Sequence, residues 1–383
     1  MDFSFSEDQV AIRDLAHQIF TDRASDEFLL EFSRTDKTYD EELWQTLAEQ
    51  GLLGLSAPES AGGSELGFTE LCLMLEEQGR RVAPVPLLGN LVMAGLPLAR
   101  FGSDEQQQRW LKPMVEGSIK LATAITEQVI PGANADGVIA IEQADGWQLK
   151  GSKSCIIDGA CADAVIVPAR ISDTQQAFFI VDVQSAGVNL SDQEVGLSGN
   201  CNATMQLDGV AVTPANMLGS ADDFEQMLQY IEQHTQVAQC AMRAGICEEA
   251  MRRTAAYTSE RKQFGVPIGS FQALAMRMAD SYIDVEAMRS TCWQAMWRLT
   301  EGLSAEAEVR IAKWWACEGS HRIVHTAQHL HAGMGADVEY PIHRFFLWAK
   351  QHSYNFGSSS QQLDALGKLL AKNDDIGYTA IEV

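Results

Sequence analysis

The feature that most restricts the fold of this chain is a change of hydrophobic period at about residue 119, which reverses at about residue 218. Between those points lie short runs rich in β-branched residues, separated by Gly, Asp and Asn turns. Such runs predict an antiparallel β domain rather than alternating strands and helices. No Gly-x-Gly-x-x-Gly follows any of them, which disfavours a Rossmann nucleotide site. The runs are KLATAIT, GWQLKG, DAVIVPAR, AFFIVDV and ATMQLDGVAV.

Helical patterns precede this region. The stretch SEDQVAIRDLAHQIF has apolar residues at approximately helical spacing, with Ser6 as a candidate N-cap. A second helix, in TYDEELWQTLAEQGLLGL, is expected to stop at Gly51. A third helix is predicted in FTELCLMLEEQGRR.

Long amphipathic segments with short connections follow the β region and predict an antiparallel four-helix bundle. They cover residues 223–260, 268–300, 304–334 and 359–372. The predicted fold class is therefore α+β with three domains. These are an N-terminal helical domain at 1–115, a middle β-barrel-like domain at 116–220 and a C-terminal helical bundle domain at 221–383.

Charge and composition limit the kinds of partner, metal site and cellular compartment that the sequence predicts. The chain carries 52 Asp and Glu against 28 Lys and Arg, a formal net charge of −24, which disfavours nucleic acid or an anionic membrane as partner. The most apolar window, from Leu87, is broken by Asn90 and Pro97, and the acidic N-terminus does not resemble a signal peptide. Eight cysteines without a Cys-x-x-Cys pair predict neither a zinc site nor a disulfide framework, and favour the cytoplasm.

One stretch carries a family signature. SERKQFGVPIGSFQALAMRMAD, at 259–280, resembles the Arg-x-x-Phe-Gly-x-Pro-Ile and Phe-Gln motif of the acyl-CoA dehydrogenase family. Three further stretches resemble that family in the same order, so the similarity covers nearly the whole chain. They are GLLGLSAPESAGGSELGFTELCLMLEEQGR, LKGSKSCIIDGACADAVIVPAR and HLHAGMGADVEYPIHRFFLWAK.

The resemblance implies FAD held between domains and between subunits, and oxidation of an acyl-CoA thioester to the trans-2-enoyl-CoA. It also implies transfer of the electrons to an electron-transfer flavoprotein. In this chemistry a carboxylate removes the α-proton, the flavin accepts the β-hydride, and hydrogen-bond donors stabilise the developing enolate.

Several residues match the family's cofactor contacts. In the family, the Arg matched by Arg261 reaches the FAD pyrophosphate of the neighbouring subunit, and glycines such as Gly333 and Gly335 let backbone approach the adenosine side. A surface ion-pair role for Arg261 and a plain turn role for the glycines are the alternatives. The predicted FAD-binding residues are Thr126, Arg261, Gln263, Phe264, Gln272, His329, Gly333, Ser358 and Ser360.

Other positions depart from the family. QVIPGANAD, at 128–136, offers no clear equivalent of the family's Ser, and Cys155-Ile156-Ile157 replaces Trp-Ile-Thr. Ala332 replaces the first Gly of the Gly-Gly pair, and the family's Gln is displaced to His329 or Gln328. His329 and His331, two residues apart, point away from each other on a helix, so no metal site is predicted.

The largest departure concerns the general base. The family's Tyr-Glu-Gly-Thr turn, whose Glu is the usual base, aligns with a turn that has Phe356 at the Glu position. Some members carry the base on the first bundle helix, before an Arg, and those positions hold Thr235 and Gln236. Glu232, three residues before Thr235 on the same helix face, is a substitute candidate.

These departures resemble the base-lacking subunit of the heterotetrameric acyl-CoA dehydrogenases of bacterial steroid and bile-acid side-chain degradation. The resemblance implies a base-bearing homologous partner whose FAD site this chain completes, and a steroid side chain as candidate acyl group. Two alternatives stay open. The first is a homo-oligomeric dehydrogenase that uses Glu232, and the second is a flavin monooxygenase or oxidase of the same fold.

Overall fold

The structure is a computed structural model and describes residues 4–129, 137–193 and 201–372. The chain forms two compact units, each assembled from separated stretches. The bundle unit comprises Met1–Leu30, Cys72–Ala83 and Gln239–Val383, and the sheet unit comprises Glu31–Leu71 and Pro84–Ala238. The division into three domains at 1–115, 116–220 and 221–383 stays a prediction.

Apart from one short helix at Thr126–Val129, which lies within the strand region, the α-helices precede or follow the sheet along the chain, as the change of period predicts. Two π-helical stretches, Leu88–Gly95 and Gln107–Leu111, join shorter helices in the sheet unit. The α-helices of the described residues are α1 Glu7–Arg23, α2 Asp26–Phe32, α3 Glu41–Glu49, α4 Phe68–Arg81, α5 Leu96–Phe101, α6 Asp104–Gln106, α7 Lys112–Val115, α8 Thr126–Val129, α9 Phe224–Glu260, α10 Gln272–Thr300, α11 Glu306–Leu330, α12 Ile342–Tyr354 and α13 Ser359–Leu370.

Two predicted helix ends are confirmed. Ser6 caps α1 through a capping box, in which its hydroxyl accepts the Gln9 backbone N–H at 3.2 Å. Gly51 follows α3 with φ +73°, the left-handed conformation that glycine adopts without steric cost.

The central sheet has the order β6-β7-β3-β2-β4-β5-β8, with β1 added beside β4. Most pairs are antiparallel, but β1 and β2 each pair with β4 in parallel. The predicted order of helical domain, β domain and helical domain is confirmed, but the sheet is mixed rather than antiparallel throughout. The strands are β1 Leu121–Thr123, β2 Val138–Gln143, β3 Gly146–Ile156, β4 Ala164–Arg170, β5 Gln176–Asp182, β6 Val188–Asp192, β7 Ala203–Val212 and β8 Met217–Leu218, with the hairpin β9 Lys262–Gln263 and β10 Val266–Pro267 lying in the bundle unit.

Burial explains the strand sequences. β4 is buried at every residue from Ala164 to Ala169, as expected of a strand covered on both faces, whereas β7 alternates between buried and exposed residues. The register between β3 and β7 shifts between Lys153 and Ile156. That irregularity gives Cys155 its positive φ of +53°, at the site of the predicted flavin-facing departure.

The bundle unit centres on α11, which packs against α10, α12 and α13. Gly319 permits the α10 contact, because a Cβ there would lie 2.7 Å from Met288 Sδ. The prediction of four helices missed α12, which lies between the third and fourth predicted segments. In the part of the chain that the structure describes, no helix is long and apolar enough to cross a membrane.

Candidate functional site

The turn between α12 and α13 carries the first predicted base position, which is occupied by a buried phenyl ring. Phe356 has φ +59° and Gly357 has φ +92°, so a non-glycine residue adopts the left-handed conformation here. Phe356 is 1% exposed, and its carbonyl oxygen accepts a hydrogen bond from Gln362 Nε2 at 3.1 Å. A phenyl group neither accepts nor releases a proton at this position.

The second predicted base position lies in the long helix α9. Thr235 is 0% exposed, and its hydroxyl oxygen makes no hydrogen bond to any described residue. One turn earlier, the half-buried Glu232 accepts a hydrogen bond from Gln236 Nε2 at 3.2 Å. The substitute carboxylate is therefore already tied to the residue that stands where some family members have an Arg.

The hairpin after α9 presents the predicted cofactor residues to solvent. Strands β9 and β10 are joined by Phe264 and Gly265, with φ of +52° and +83°, a two-residue loop of the kind that tight hairpins use. Phe264 is 94% exposed, and its only described ring contact is with Phe271, with centroids 6.2 Å apart. An aromatic side chain so exposed does not belong to the core.

Arg261 precedes this hairpin and is held by its backbone alone. Its N–H donates to Tyr257 O at 2.9 Å, and its carbonyl oxygen accepts from Ile268 N at 2.8 Å. The guanidinium is exposed and forms no ion pair or hydrogen bond with the residues that the structure describes. Gln272 opens α10 and is exposed as well, whereas the Gln263 amide donates to Lys262 O at 2.7 Å.

The glycine-rich segment after α11 divides by role. Gly335 is needed by the chain itself, because a Cβ there would lie 2.4 Å from Gln328 O. A Cβ on Gly333 would meet nothing within 4 Å, so this position is open to solvent or to a ligand. Ala332, where the family has Gly, adopts φ +52°. His329 Nδ1 lies 2.5 Å from Arg277 Nη1.

In the strand pair that is expected to lie against the flavin, the polar side chains already bond to residues of the same region. The Thr126 hydroxyl donates to Cys155 O at 2.8 Å. The Glu127 carboxylate accepts from the Ser154 N–H and hydroxyl at 2.9 and 2.8 Å and lies 3.2 Å from Lys153 Nζ. Ile157, which replaces the family's Thr, is 4% exposed and offers no hydroxyl. Residues 130–136 of the QVIPGANAD segment lie outside the described residues.

Ser358 and Ser360 belong to the start of α13. Ser358 forms a capping box with Gln361, whose Oε1 accepts the Ser358 backbone N–H at 2.8 Å. The Ser358 and Ser360 hydroxyl oxygens are 3.1 Å apart. Ser358 thus belongs to the capping box, and the role of both serines toward FAD stays a prediction.

The family models decide the classification. The acyl-CoA dehydrogenase N-terminal domain matches residues 6–118, and the acyl-CoA dehydrogenase C-terminal domain matches residues 224–371. The chain is a member of the acyl-CoA dehydrogenase family. FAD is the cofactor of this family, whose members are oxidoreductases acting on CH–CH bonds.

A curated relative and two solved structures resemble the chain over almost its full length. The acyl-CoA dehydrogenase FadE27 of Mycobacterium tuberculosis is 35% identical, with 97% of this chain and 99% of the relative covered. The ChsE4–ChsE5 complex from Mycobacterium tuberculosis matches with a TM-score of 0.91 and 35% identity, over 97% of this chain and 100% of the other. A variant of the Tcur3481–Tcur3483 steroid ACAD matches with a TM-score of 0.86 and 40% identity, over 96% and 98%.

Sequence reasoning missed a second group of polar residues, which is buried in the bundle unit. Arg243 and Lys313 are both 0% exposed and meet between α9, α11 and α12. The available signal was an arginine inside the apolar run VAQCAMRAGIC of α9. A charge at an apolar position of a helix predicts a buried polar contact.

Proposed function

We propose that this chain is the subunit without a general base in a hetero-oligomeric, FAD-dependent acyl-CoA dehydrogenase. The carrying observation is that Phe356 and Thr235, at the two base positions, are 1% and 0% exposed and cannot take up a proton at neutral pH. The proposed partner is a homologous subunit that carries the base. The proposed electron acceptor is an electron-transfer flavoprotein.

The chemistry explains why a missing carboxylate matters. The α-proton of a thioester is weakly acidic, so its removal needs a positioned base, which typically contributes about 10²–10⁴-fold to the rate. FAD, when bound, takes up the hydride that leaves the β-carbon. Because neither position of this chain offers a carboxylate, we assign proton removal to the partner subunit.

The fit of FAD differs between the two surfaces of this chain that the family uses. The strand pair fits poorly, since the Thr126 hydroxyl is bonded to Cys155 O and Ile157 has no hydroxyl to offer. The outer hairpin fits well, because the Arg261 guanidinium is exposed and unpaired among the described residues, and Phe264 is 94% exposed. We infer that Arg261, Gln263, Phe264 and Gln272 contact the FAD of the partner subunit.

The remaining predicted contacts belong to the same proposal. The other proposed FAD-site residues, which the resemblance implies, are Thr126, His329, Gly333, Ser358 and Ser360. The unobstructed Gly333 has the best geometric support, and Thr126 has the weakest, because its hydroxyl already donates to Cys155 O. The comparisons favour a heteromer, since one neighbour is a complex of two differently named chains and another is named a steroid ACAD. We therefore propose a steroid acyl-CoA thioester as the substrate class.

The proposal is tested by purifying the chain alone, a base-bearing acyl-CoA dehydrogenase chain of the same organism alone, and the two together. The visible flavin spectrum, the mass in solution and oxidation of a steroid acyl-CoA by an artificial electron acceptor are measured for each. We expect flavin and activity in the mixture and little of either in this chain alone. An FAD-replete, active homo-oligomer of this chain would refute the proposal. Oxygen consumption without electron-transfer flavoprotein would instead indicate an oxidase or monooxygenase.

A further inference from the structure

Three helices bring two fully buried cations together in the bundle unit. On α11, Lys313 donates through Nζ to Gln239 Oε1 at 2.7 Å and to His352 O at 3.1 Å. On α9, Arg243 donates to Ser320 Oγ at 2.8 Å and to Ser353 Oγ at 2.6 Å. All of these oxygen acceptors are neutral, so they solvate the two charges without balancing them.

The nearby carboxylates are engaged elsewhere. Glu248 lies within ion-pair distance of Arg80 and Arg289, and Glu318 pairs with Arg322 at 3.8 Å. No described carboxylate contacts Arg243 or Lys313. An unpaired charge in a protein interior typically costs several kcal/mol, so a buried pair of cations is expected to have an anion beside it.

Buried polar atoms without a hydrogen-bond partner also indicate that an anion lies beside the two cations. Among the described residues, Arg243 Nε, Gln239 Nε2 and both ring nitrogens of His352 are buried without a hydrogen-bond partner. Arg243 Nε and Gln239 Nε2 carry N–H donors, and a neutral His352 ring carries a third on one of its nitrogens. A nearby anion would compensate for buried donors that have no acceptor.

One ionisable group lies within contact of the guanidinium, the thiol of Cys317. Arg243 Nη1 is 3.3 Å from Cys317 Sγ, and Cys317 stands four residues after Lys313, on the same face of α11. A protonated Cys317 thiol donates to Ser353 O over 3.7 Å, a longer contact than the one in which the sulfur accepts from the guanidinium. The shorter of the two contacts is therefore the one in which the sulfur is the acceptor.

We propose that Cys317 is a thiolate in the folded protein and is the counter-ion of Arg243 and Lys313. A thiolate here is a buried structural anion, enclosed by the helices that carry the two cations. It is independent of the proposed function, since it uses neither base position nor the FAD surface.

The charged and titratable surroundings support the proposal. Burial opposes ionisation of Cys317, but Arg243 and Lys313 outweigh it and lower the pKa of this thiol, against a smaller opposing effect of Glu318. Burial lowers the pKa of Lys313 to about 8, so the ammonium still persists at neutral pH. By contrast, burial raises the pKa of Cys240 to about 11. From α12, His352 faces the cluster as a neutral ring, because burial lowers its pKa to about 3.

The first experiment measures the thiolate directly. The far-ultraviolet thiolate absorbance of the FAD-free chain is recorded against pH for wild type and Cys317→Ser. We expect the wild-type-minus-variant difference to show one thiolate at neutral pH that disappears on acidification. The matched control is Cys247→Ser on α9, where burial raises the thiol pKa to about 12, and it should show no difference at neutral pH. A difference spectrum without a neutral-pH thiolate would overturn the proposal.

A second comparison separates an anionic role from packing. Cys317→Asp keeps a negative charge beside the two cations, whereas Cys317→Ser removes it. We expect Cys317→Asp to unfold at a higher denaturant midpoint than Cys317→Ser, and the order to reverse for Cys247→Asp and Cys247→Ser. If Asp is the worse substitution at both positions, Cys317 is a neutral packed thiol and the proposal is wrong.

Discussion

Removing the Arg261 side chain tests whether this chain contributes to a partner's FAD site. The guanidinium forms no ion pair or hydrogen bond with the described residues, so Arg261→Ala deletes no interaction of these kinds among them. We expect the free energy of unfolding of the isolated chain to change by less than about 0.5 kcal/mol, as for an ordinary surface substitution.

The expected loss lies in cofactor affinity. A charge-assisted, bidentate contact to a pyrophosphate in a partly buried site contributes about 1.5–3 kcal/mol. Since about 1.4 kcal/mol is tenfold, Arg261→Ala should weaken FAD binding by the complex roughly tenfold to a hundredfold. Arg261→Lys should recover only part, because an ammonium cannot present the planar fork of donors.

The assay is flavin absorbance per heteromeric complex after dialysis against a series of FAD concentrations. Lys262→Ala is the matched control, because it removes one exposed positive charge from the next residue of the same hairpin. If Arg261→Ala and Lys262→Ala lose flavin to the same small extent, Arg261 acts only through net charge. In that case the interface role of this residue is wrong.

Three further outcomes can be checked together. Glu232→Gln should change turnover of the complex less than about twofold, not by the ~10²-fold or more expected of a general base, with Glu225→Gln of the same helix as control. Burial lowers the pKa of His352 to about 3. Between that pH and about pH 6.5, the unfolded chain therefore binds a proton that the folded chain does not, and the free energy of unfolding falls as the pH falls through this window. Denaturant titrations of His352→Leu should show an acid-side slope reduced by up to about 1.4 kcal/mol per pH unit; an unchanged slope contradicts the assignment. Burial raises the pKa of Asp158 to about 7, so its stabilising contribution is present below about pH 4 and is lost as the pH rises to 7. Asp158→Asn should therefore flatten the stability profile in that range, and a parallel wild-type and variant profile would exclude this.

The local pattern of the sequence determined the order of the elements and several of their ends. The switch between helical and strand periods placed the sheet between helices. Ser6 begins one helix as its N-cap, and Gly51 follows the end of another, as their conformational preferences predict. Family motifs also identified the acyl-CoA dehydrogenase fold, because their spacing is preserved along the chain. The prediction that this chain lacks the family's usual base rests on the identity of Phe356, which is read from the sequence alone.

Other features depended on contacts between residues distant in sequence. The parallel pairing of β4 with β1 and β2 joins strands whose individual patterns carry no information about their neighbours. Helix α12 was missed because its sequence mixes charged, polar and aromatic residues. Only its packing on α11, with Phe345 and Ala349 buried, makes that mixture a helix face.

Some features of the candidate site were likewise predicted by the sequence, and others depended on the tertiary structure. Motifs predicted which residues face a cofactor, but exposure of Phe264 and the unpaired Arg261 guanidinium could be seen only once the hairpin was formed. Likewise, Lys313 and Cys317 lie one turn apart on α11, but Arg243 lies on α9, and no local rule brings it to the other two. These three residues are buried together only in the packed bundle. Electrostatic interactions between them become strong, and their desolvation becomes costly, only when the neighbouring helices exclude water.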